Sequence, residues 1–183
     1  ARISNSEGAS THTQATAYIY ANSHGFVGGY PATRHSLSCS VIAGTGDQMQ
    51  RDYWYSSSRL ANKLDSAESV GLKAAERAIA RLNSRKIKTT KCPVLFSAEM
   101  AGGLMRGLFG AMRGSAIYRD ASFLGGKLNE QLFPDWVNIA EQPHLLQALG
   151  SAPFDNEGVA TTDKKLIDAG HLTTYLLDSY SAR

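Results

Sequence analysis

The chain has 183 residues, enough for one ordinary domain or for pieces of two. Apolar residues make up 43% and charged residues 19%, a composition that excludes wholesale disorder. The net charge of +3 lacks the basic excess of a protein that coats nucleic acid. Two cysteines, Cys39 and Cys92, are too few for a zinc knuckle and form no C-x-x-C pair. Two buried thiols are the expectation, with a single disulfide between them as the alternative. Residues 1–14 are polar, with no apolar signal-peptide core, so a cytoplasmic protein is the default expectation.

The first 58 residues alternate with period 2, the pattern of strands. Ala15, Ala17, Ile19 and Ala21 share one face, and Thr16, Tyr18 and Tyr20 the other. Asn22-Ser23-His24-Gly25 reads as a turn. Leu37, Cys39, Val41 and Ala43 then alternate with serines, as in a half-buried strand. After a turn at Gly44-Thr45-Gly46-Asp47, Met49, Arg51, Tyr53 and Tyr55 alternate with Gln50, Asp52 and Trp54. Short connections between these runs imply antiparallel pairing.

The period then becomes helical. Asp65-Ser66-Ala67-Glu68 has the form of a capping box with Asp65 as the cap, and Val70, Ala74, Ala78 and Leu82 form a stripe of mostly small residues suited to close packing on a sheet. The helix is expected to end near Asn83. Residues 84–91, SRKIKTTK, read as a linker, and their cations are assigned to the helix C-terminal dipole rather than to phosphate binding.

Residues 93–112, PVLFSAEMAGGLMRGLFGAM, are long enough to span a bilayer. Glu99 and Arg106 would each cost roughly 2.5–3.5 kcal/mol there, so a short buried strand at 93–96 and a buried or half-buried helix are expected instead. Met100, Leu104, Leu108 and Met112 recur every four residues on that helix. Gly103, Gly107 and Gly110 each cost it roughly 1 kcal/mol relative to Ala, which points to close backbone approach by a neighbour. Residues 121–133 read as an amphipathic element ending at Pro134, and residues 144–149 as a short helical turn. Residues 159–167 and 172–177 read as a hairpin around the three-residue loop Asp168-Ala169-Gly170. The fold class expected is α+β: an antiparallel sheet with a packed helix, followed by the start of a β-rich domain. The division is residues 1–83, a linker at 84–91, and residues 92–183.

Spacing alone yields no catalytic site. His12, His24, His35, His144 and His171 form no helical metal pair. There is no G-x-S-x-G elbow. Gly44-Thr45-Gly46 is a hairpin turn rather than a dinucleotide loop. Asp155, Glu157 and Asp163 lack the alternation of a calcium loop.

Residues 22–43 (NSHGFVGGYPATRHSLSCSVIA), Arg51-Asp52-Tyr53, residues 132–136 (LFPDW), residues 153–159 (PFDNEGV) and residues 176–183 (LLDSYSAR) resemble, in order, the PmbA/TldE branch of the TldD/PmbA peptidase family, also called modulators of DNA gyrase. Family chains are longer at both ends, so the resemblance implies a middle segment holding parts of two domains. It further implies a heterodimer in which a TldD-type subunit carries zinc on an H-E-x-x-x-H helix and the pair cleaves unfolded peptides, as in peptide-antibiotic maturation or antitoxin turnover. The stretch corresponding to that motif is residues 97–102. Ser97 and Gly102 stand at the histidine positions and Ala98 at the position of the general base. Serine is a poor zinc ligand, glycine has no side chain, and alanine accepts no proton. Glu99 is one position late, about 100° around a helix from the base position. The expectation is therefore no catalytic residue, no metal and no cofactor in this chain, zinc in the partner, and a heterodimer surface at Gly103, Gly107 and Gly110. Neither a membrane nor a nucleic acid is expected as a partner. The alternative is a regulatory or binding protein acting on DNA gyrase or nucleic acid.

Overall fold

The structure, a computed structural model, describes residues 2–183. It is α+β, and the chain divides into two compact units. The first runs up to Thr89 and takes in Leu145–Ser151. The second comprises Thr90–His144 and Ala152–Arg183.

The first unit is an antiparallel meander in the order β1 (Ile3–Ala21), β2 (Val27–Ala43) and β3 (Gln50–Ser58), with helix α1 (Ala67–Ala80) packed on it. The β1–β2 turn is built by Asn22, whose Oδ1 accepts the N–H groups of His24 and Phe26. Gly25 adopts φ +89°, which favours glycine. The ladder runs from Ile3↔Ala43 to Ala21↔Val27, with irregularities near Asn5 and Gly8. Residues 4–19 of β1 are exposed on both faces, so that end is a solvated ribbon and the core sits at the other.

That core consists of Val41 and Ala43 on β2 and Ala74 and Ala78 on α1, flanked by Ile3, Cys39, Trp54, Ala75, Ile79 and Leu82. Val70, Ala74 and Ala78 are fully buried, as their spacing predicts. The register pairs Val41 with Asp52 and Cys39 with Trp54. Directly paired residues share a face, so Asp52 and Trp54 look toward α1, and Tyr53 and Tyr55 stack on the opposite, exposed face. Arg77 of α1 pairs with Asp52 at 3.3 Å and lies over the Trp54 ring at 5.1 Å; Arg81 reaches the second Asp52 oxygen at 3.5 Å. Burial pushes the Asp52 carboxyl up, but the Tyr53 N–H together with Arg77 and Arg81 outweighs it and holds the group below the usual carboxylate range.

Three expectations are corrected, two in this unit and one at the start of the second. The α1 cap is Ser66, whose hydroxyl accepts the Ser69 N–H at 3.1 Å, not Asp65; both residue types cap, and only the backbone path selects between them. Cys39 is half-buried at the rim of the helix contact. Cys92 is exposed, because the stretch around it has no regular structure to cover it; both thiols are free.

The second unit holds α2 (Ala98–Met112), α3 (Gly114–Tyr118) and a small antiparallel sheet of β4 (Ile139–Glu141), β5 (Lys164–Asp168) and β6 (His171–Leu172). Its core is Leu108, Met112, Leu124, Leu166, Ile167 and Leu172. Only the C-terminal end of α2 therefore enters the core. Leu95 at 98% exposure, with Val94 and Phe96, forms no buried strand, and Met100 and Leu104 are exposed on the helix. Residues 121–133 form successive turns rather than an amphipathic helix, because Asp120, Gly126 and Asn129 take positive φ and break any helical run. Tyr175 braces these turns, donating to the Leu124 carbonyl at 2.6 Å and accepting the Lys127 N–H. Residues 144–149 also form turns, with Gln147 at φ +64°. The hairpin is shorter than its sequence suggests. Asp168 pairs with His171, leaving Ala169-Gly170 as a two-residue loop with positive φ at both positions. Gly170 is also a hub. Its carbonyl accepts the N–H groups of Leu132 and Phe133, and its N–H donates to Val137.

Two outcomes follow for stability. Asp52→Asn should cost about 1–3 kcal/mol at pH 7, because a paired, nearly buried carboxylate loses its charge. The depressed Asp52 value contributes stability above the unfolded carboxylate range near pH 4, and this contribution is lost as pH falls through the folded value. Urea titrations at pH 7 and pH 3 should show the difference between wild type and variant shrinking at the lower pH. Gly170→Ala should cost more than about 2 kcal/mol, because its Cβ would collide with the Phe133 carbonyl oxygen at a φ of +81°. Thermal unfolding of that variant at wild-type temperature would contradict the hub role.

Candidate functional site

The stretch singled out by motif lies at the start of α2. Ser97 is the residue before the helix, extended at φ −63° and ψ 155°, and its side chain makes no capping hydrogen bond. Its carbonyl receives the Met100 and Ala101 N–H groups, which starts the helix. Ala98 and Glu99 occupy the first turn. Ala98, Glu99 and Gly102 are all exposed. The three motif positions thus offer one hydroxyl and no imidazole or carboxylate. A zinc ion needs three or four nitrogen, sulfur or carboxylate donors, so this donor set does not fit the metal. Among the described residues, no three His, Cys, Asp or Glu side chains converge as a metal site elsewhere.

One turn further on, α2 borders an apolar groove of about 630 Å³. Gly103, Leu104, Gly107, Leu108, Phe123 and Phe133 contribute to it. A side chain built at Gly103, Gly107 or Gly110 would meet nothing within 4 Å. The close neighbour that the glycines suggest is therefore not within the described chain. The groove offers apolar contact and backbone access; the one titratable side chain that lines it is Lys127, whose ammonium is paired with Glu130 at 2.8 Å.

A second cavity in the same unit, of about 610 Å³, has a mixed polar and apolar lining that includes Arg113, Ser115, Glu141, Asp155, Glu157 and Lys164. Two of its acids hold the loops together, whereas Glu141 has a buried Oε2 that makes no hydrogen bond and lies 3.7 Å from Lys164 Nζ. Asp155 Oδ1 accepts the Glu157 and Val159 N–H groups at 2.9 Å, and Glu157 Oε2 accepts from the N–H and hydroxyl of Ser179. The Ser181 hydroxyl and N–H hold the nearby Asp178 carboxyl below its ordinary range. Gly114 lets this segment close: a Cβ there would collide with the Ser181 side chain, and the Gly114 N–H donates to Leu176. Loop-bracing carboxylates of this kind are poor candidates for a general base. Sequence reasoning passed over this cavity because its residues come from four separated stretches with no common spacing.

The histidines do not gather either. His35 Nδ1 lies 3.1 Å from the Thr13 hydroxyl across the ladder, His144 contacts the Thr161 hydroxyl, and His171 contacts the Ala169 carbonyl. No helix among the described residues is long and apolar enough to cross a membrane.

Comparison with known proteins gives these features a frame. Residues 1–82 match the model of the PmbA/TldA metallopeptidase central domain, and residues 89–183 that of the C-terminal domain. The chain is 47% identical over 182 residues to metalloprotease PmbA of Escherichia coli O157:H7, and 44% identical to a PmbA homologue of Haemophilus influenzae. Each alignment covers 100% of this chain and 40% of the relative, so the chain spans about two fifths of the length of the relatives it matches. Among solved structures, a candidate modulator of DNA gyrase from Bacteroides thetaiotaomicron superposes with a TM-score of 0.90 at 34% identity, covering 99% of this chain and 41% of that one. TldE from Thermococcus kodakarensis shares the fold, with a TM-score of 0.71 at 20% identity over 95% of this chain and 39% of its own. With both units matched in order along their length, the chain belongs to the PmbA/TldD metallopeptidase family.

Proposed function

We propose that this chain is part of the metal-free subunit of a two-subunit zinc peptidase. A TldD-type partner carries the zinc, and the pair cleaves unfolded peptides. The observation that carries this reading is the chemistry of Ser97, Ala98 and Gly102. They stand where the family's zinc ligands and general base would be, and none can bind the metal or take a proton. The chain's role is then structural: to complete the walls around the partner's site and to position the substrate.

The exposed, largely apolar α2 supports an assembly. A helix apolar around most of its circumference is stable when covered. The open space above Gly103, Gly107 and Gly110 suits close approach by another backbone, and we assign the partner contact there.

Two measurements test the reading. The full-length protein is co-expressed with a TldD-type partner, and metal is counted per subunit. Zinc is expected in the partner alone, with peptide cleavage only by the pair. Stoichiometric zinc in this subunit by itself would overturn the proposal, and salt-sensitive DNA binding without peptidase activity would favour a role on nucleic acid instead. The second measurement uses Gly107→Leu. Within the chain the added side chain meets open space, so thermal stability should hold or rise by up to about 1 kcal/mol. Heterodimer formation on size exclusion should weaken at least tenfold, and unchanged assembly would remove Gly107 from the interface.

A further inference from the structure

One excursion of the chain has no part in the peptidase reading. Residues 144–151 form a loop whose ends meet, with the Ala152 N–H donating to the Pro143 carbonyl at 3.1 Å. This is the form of an Ω-loop, a compact class that often carries function. Its inner bonds are few. The Ala148 N–H and the Ser151 hydroxyl both donate to the Leu145 carbonyl, and the Ser151 N–H donates to Ala148. Its apolar side chains do little to anchor it, since Leu146 is 90% exposed and Leu145 51%.

What holds Leu145–Ser151 in the first unit is Arg59, the residue after β3. Its guanidinium donates to the Leu149 carbonyl at 2.8 Å, to Ala148 at 3.4 Å and to Thr33 at 3.2 Å. The Thr33 hydroxyl in turn donates to the Arg59 carbonyl at 2.7 Å, which fixes the arginine backbone to β2. A planar fork of five donors can bridge two successive carbonyls on one segment and a third on another, whereas an ammonium offers three donors from a single atom and no such fork.

We propose that residues 144–151 are a releasable strap and that Arg59 is its catch. A segment with few buried apolar contacts opens at low cost. Here that cost is concentrated in one side chain, so any event that withdraws the guanidinium frees the loop and moves its leucines together. The device is independent of the peptidase reading and would stand if that reading fell.

Hydrogen exchange followed by mass spectrometry on the full-length protein tests the catch. In Arg59→Ala, amides of residues 145–151 should exchange about tenfold faster or more, the factor that corresponds to about 1.4 kcal/mol of lost hydrogen bonding. Amides of β2, β3 and α1 should keep their wild-type rates. Arg59→Lys, which retains the stem and charge, should loosen the strap by a smaller factor and remains usable if the alanine variant does not fold. Wild-type protection of the loop in either variant overturns the proposal. So does acceleration spread evenly through the sheet and α1, which would make Arg59 a residue of the fold rather than a catch.

Discussion

The first unit depends on how closely α1 can sit on the sheet. Ala74 and Ala78 are fully buried against Val41 and Ala43, and their small side chains bring the helix backbone near the strands. That closeness makes the polar contacts possible. Arg77 can lie over Trp54 and reach Asp52 only because the helix axis is held near β3, and Arg81 follows one turn later. Gly44 belongs to the same constraint. At φ +79° it turns the chain beneath Leu82, where a Cβ would come within 2.9 Å of the leucine methyl. The small-residue stripe thus sets helix position, ion pairing and turn geometry together, and the ribbon of β1 and β2 extends from this one anchored end.

The cores are small for the surface they support. The chain exposes 13,480 Å², whereas two separate compact bodies of half its mass would expose roughly 10,400 Å² in all. The surplus of about 3,100 Å² is larger than the roughly 800 Å² that each partner contributes to a standard interface. It includes apolar groups, with Leu95, Ile87 and Leu146 all more than four-fifths exposed. Exposed apolar surface on this scale is a demand for partner surface, whether from another chain or from more of this one. The reading of the chain as one part of a larger assembly draws on this imbalance as well as on the degenerate motif.

Much of the fold was legible in the sequence where one physical signal dominated. The period-2 runs of β2 and β3 and the stripe Val70, Ala74 and Ala78 read correctly because one face of each is, at least in part, buried, whereas β1 was legible by its alternation although residues 4–19 are exposed on both faces. Reading failed where backbone conformation decided. Nothing in the apolar pattern of residues 121–133 announces left-handed Asp120 and Asn129, yet these replace a helix with turns. The two-residue loop at Ala169-Gly170 rests on positive φ at both residues, and the Gly170 carbonyl accepts from Leu132 and Phe133, contacts made nearly forty residues away. The choice of inward face on β3 was hidden for another reason. The apolar-looking set Met49, Tyr53 and Tyr55 points out, and the charged Asp52 points in, because Arg77 of α1 and Arg81 just beyond its end are there to meet it. The motif positions were legible only as departures from a family pattern, since spacing gave Ser97, Ala98 and Gly102 no chemistry of their own.

The same helix carries both the 97–102 stretch and the groove beside Gly103 and Gly107. With Ser97, Ala98 and Gly102 offering no metal ligand, the first turns of α2 are free of the constraint that a metal site would impose. What remains on the helix is its apolar character and its missing Cβ atoms. Glycines in a helix interior are costly when nothing approaches them, and three within eight residues would each lower stability by roughly 1 kcal/mol relative to alanine. Such a helix is reasonable only if another backbone recovers that loss through contact. On the proposed function, the glycines and the unsuitable donor set point the same way, to a packing role for α2.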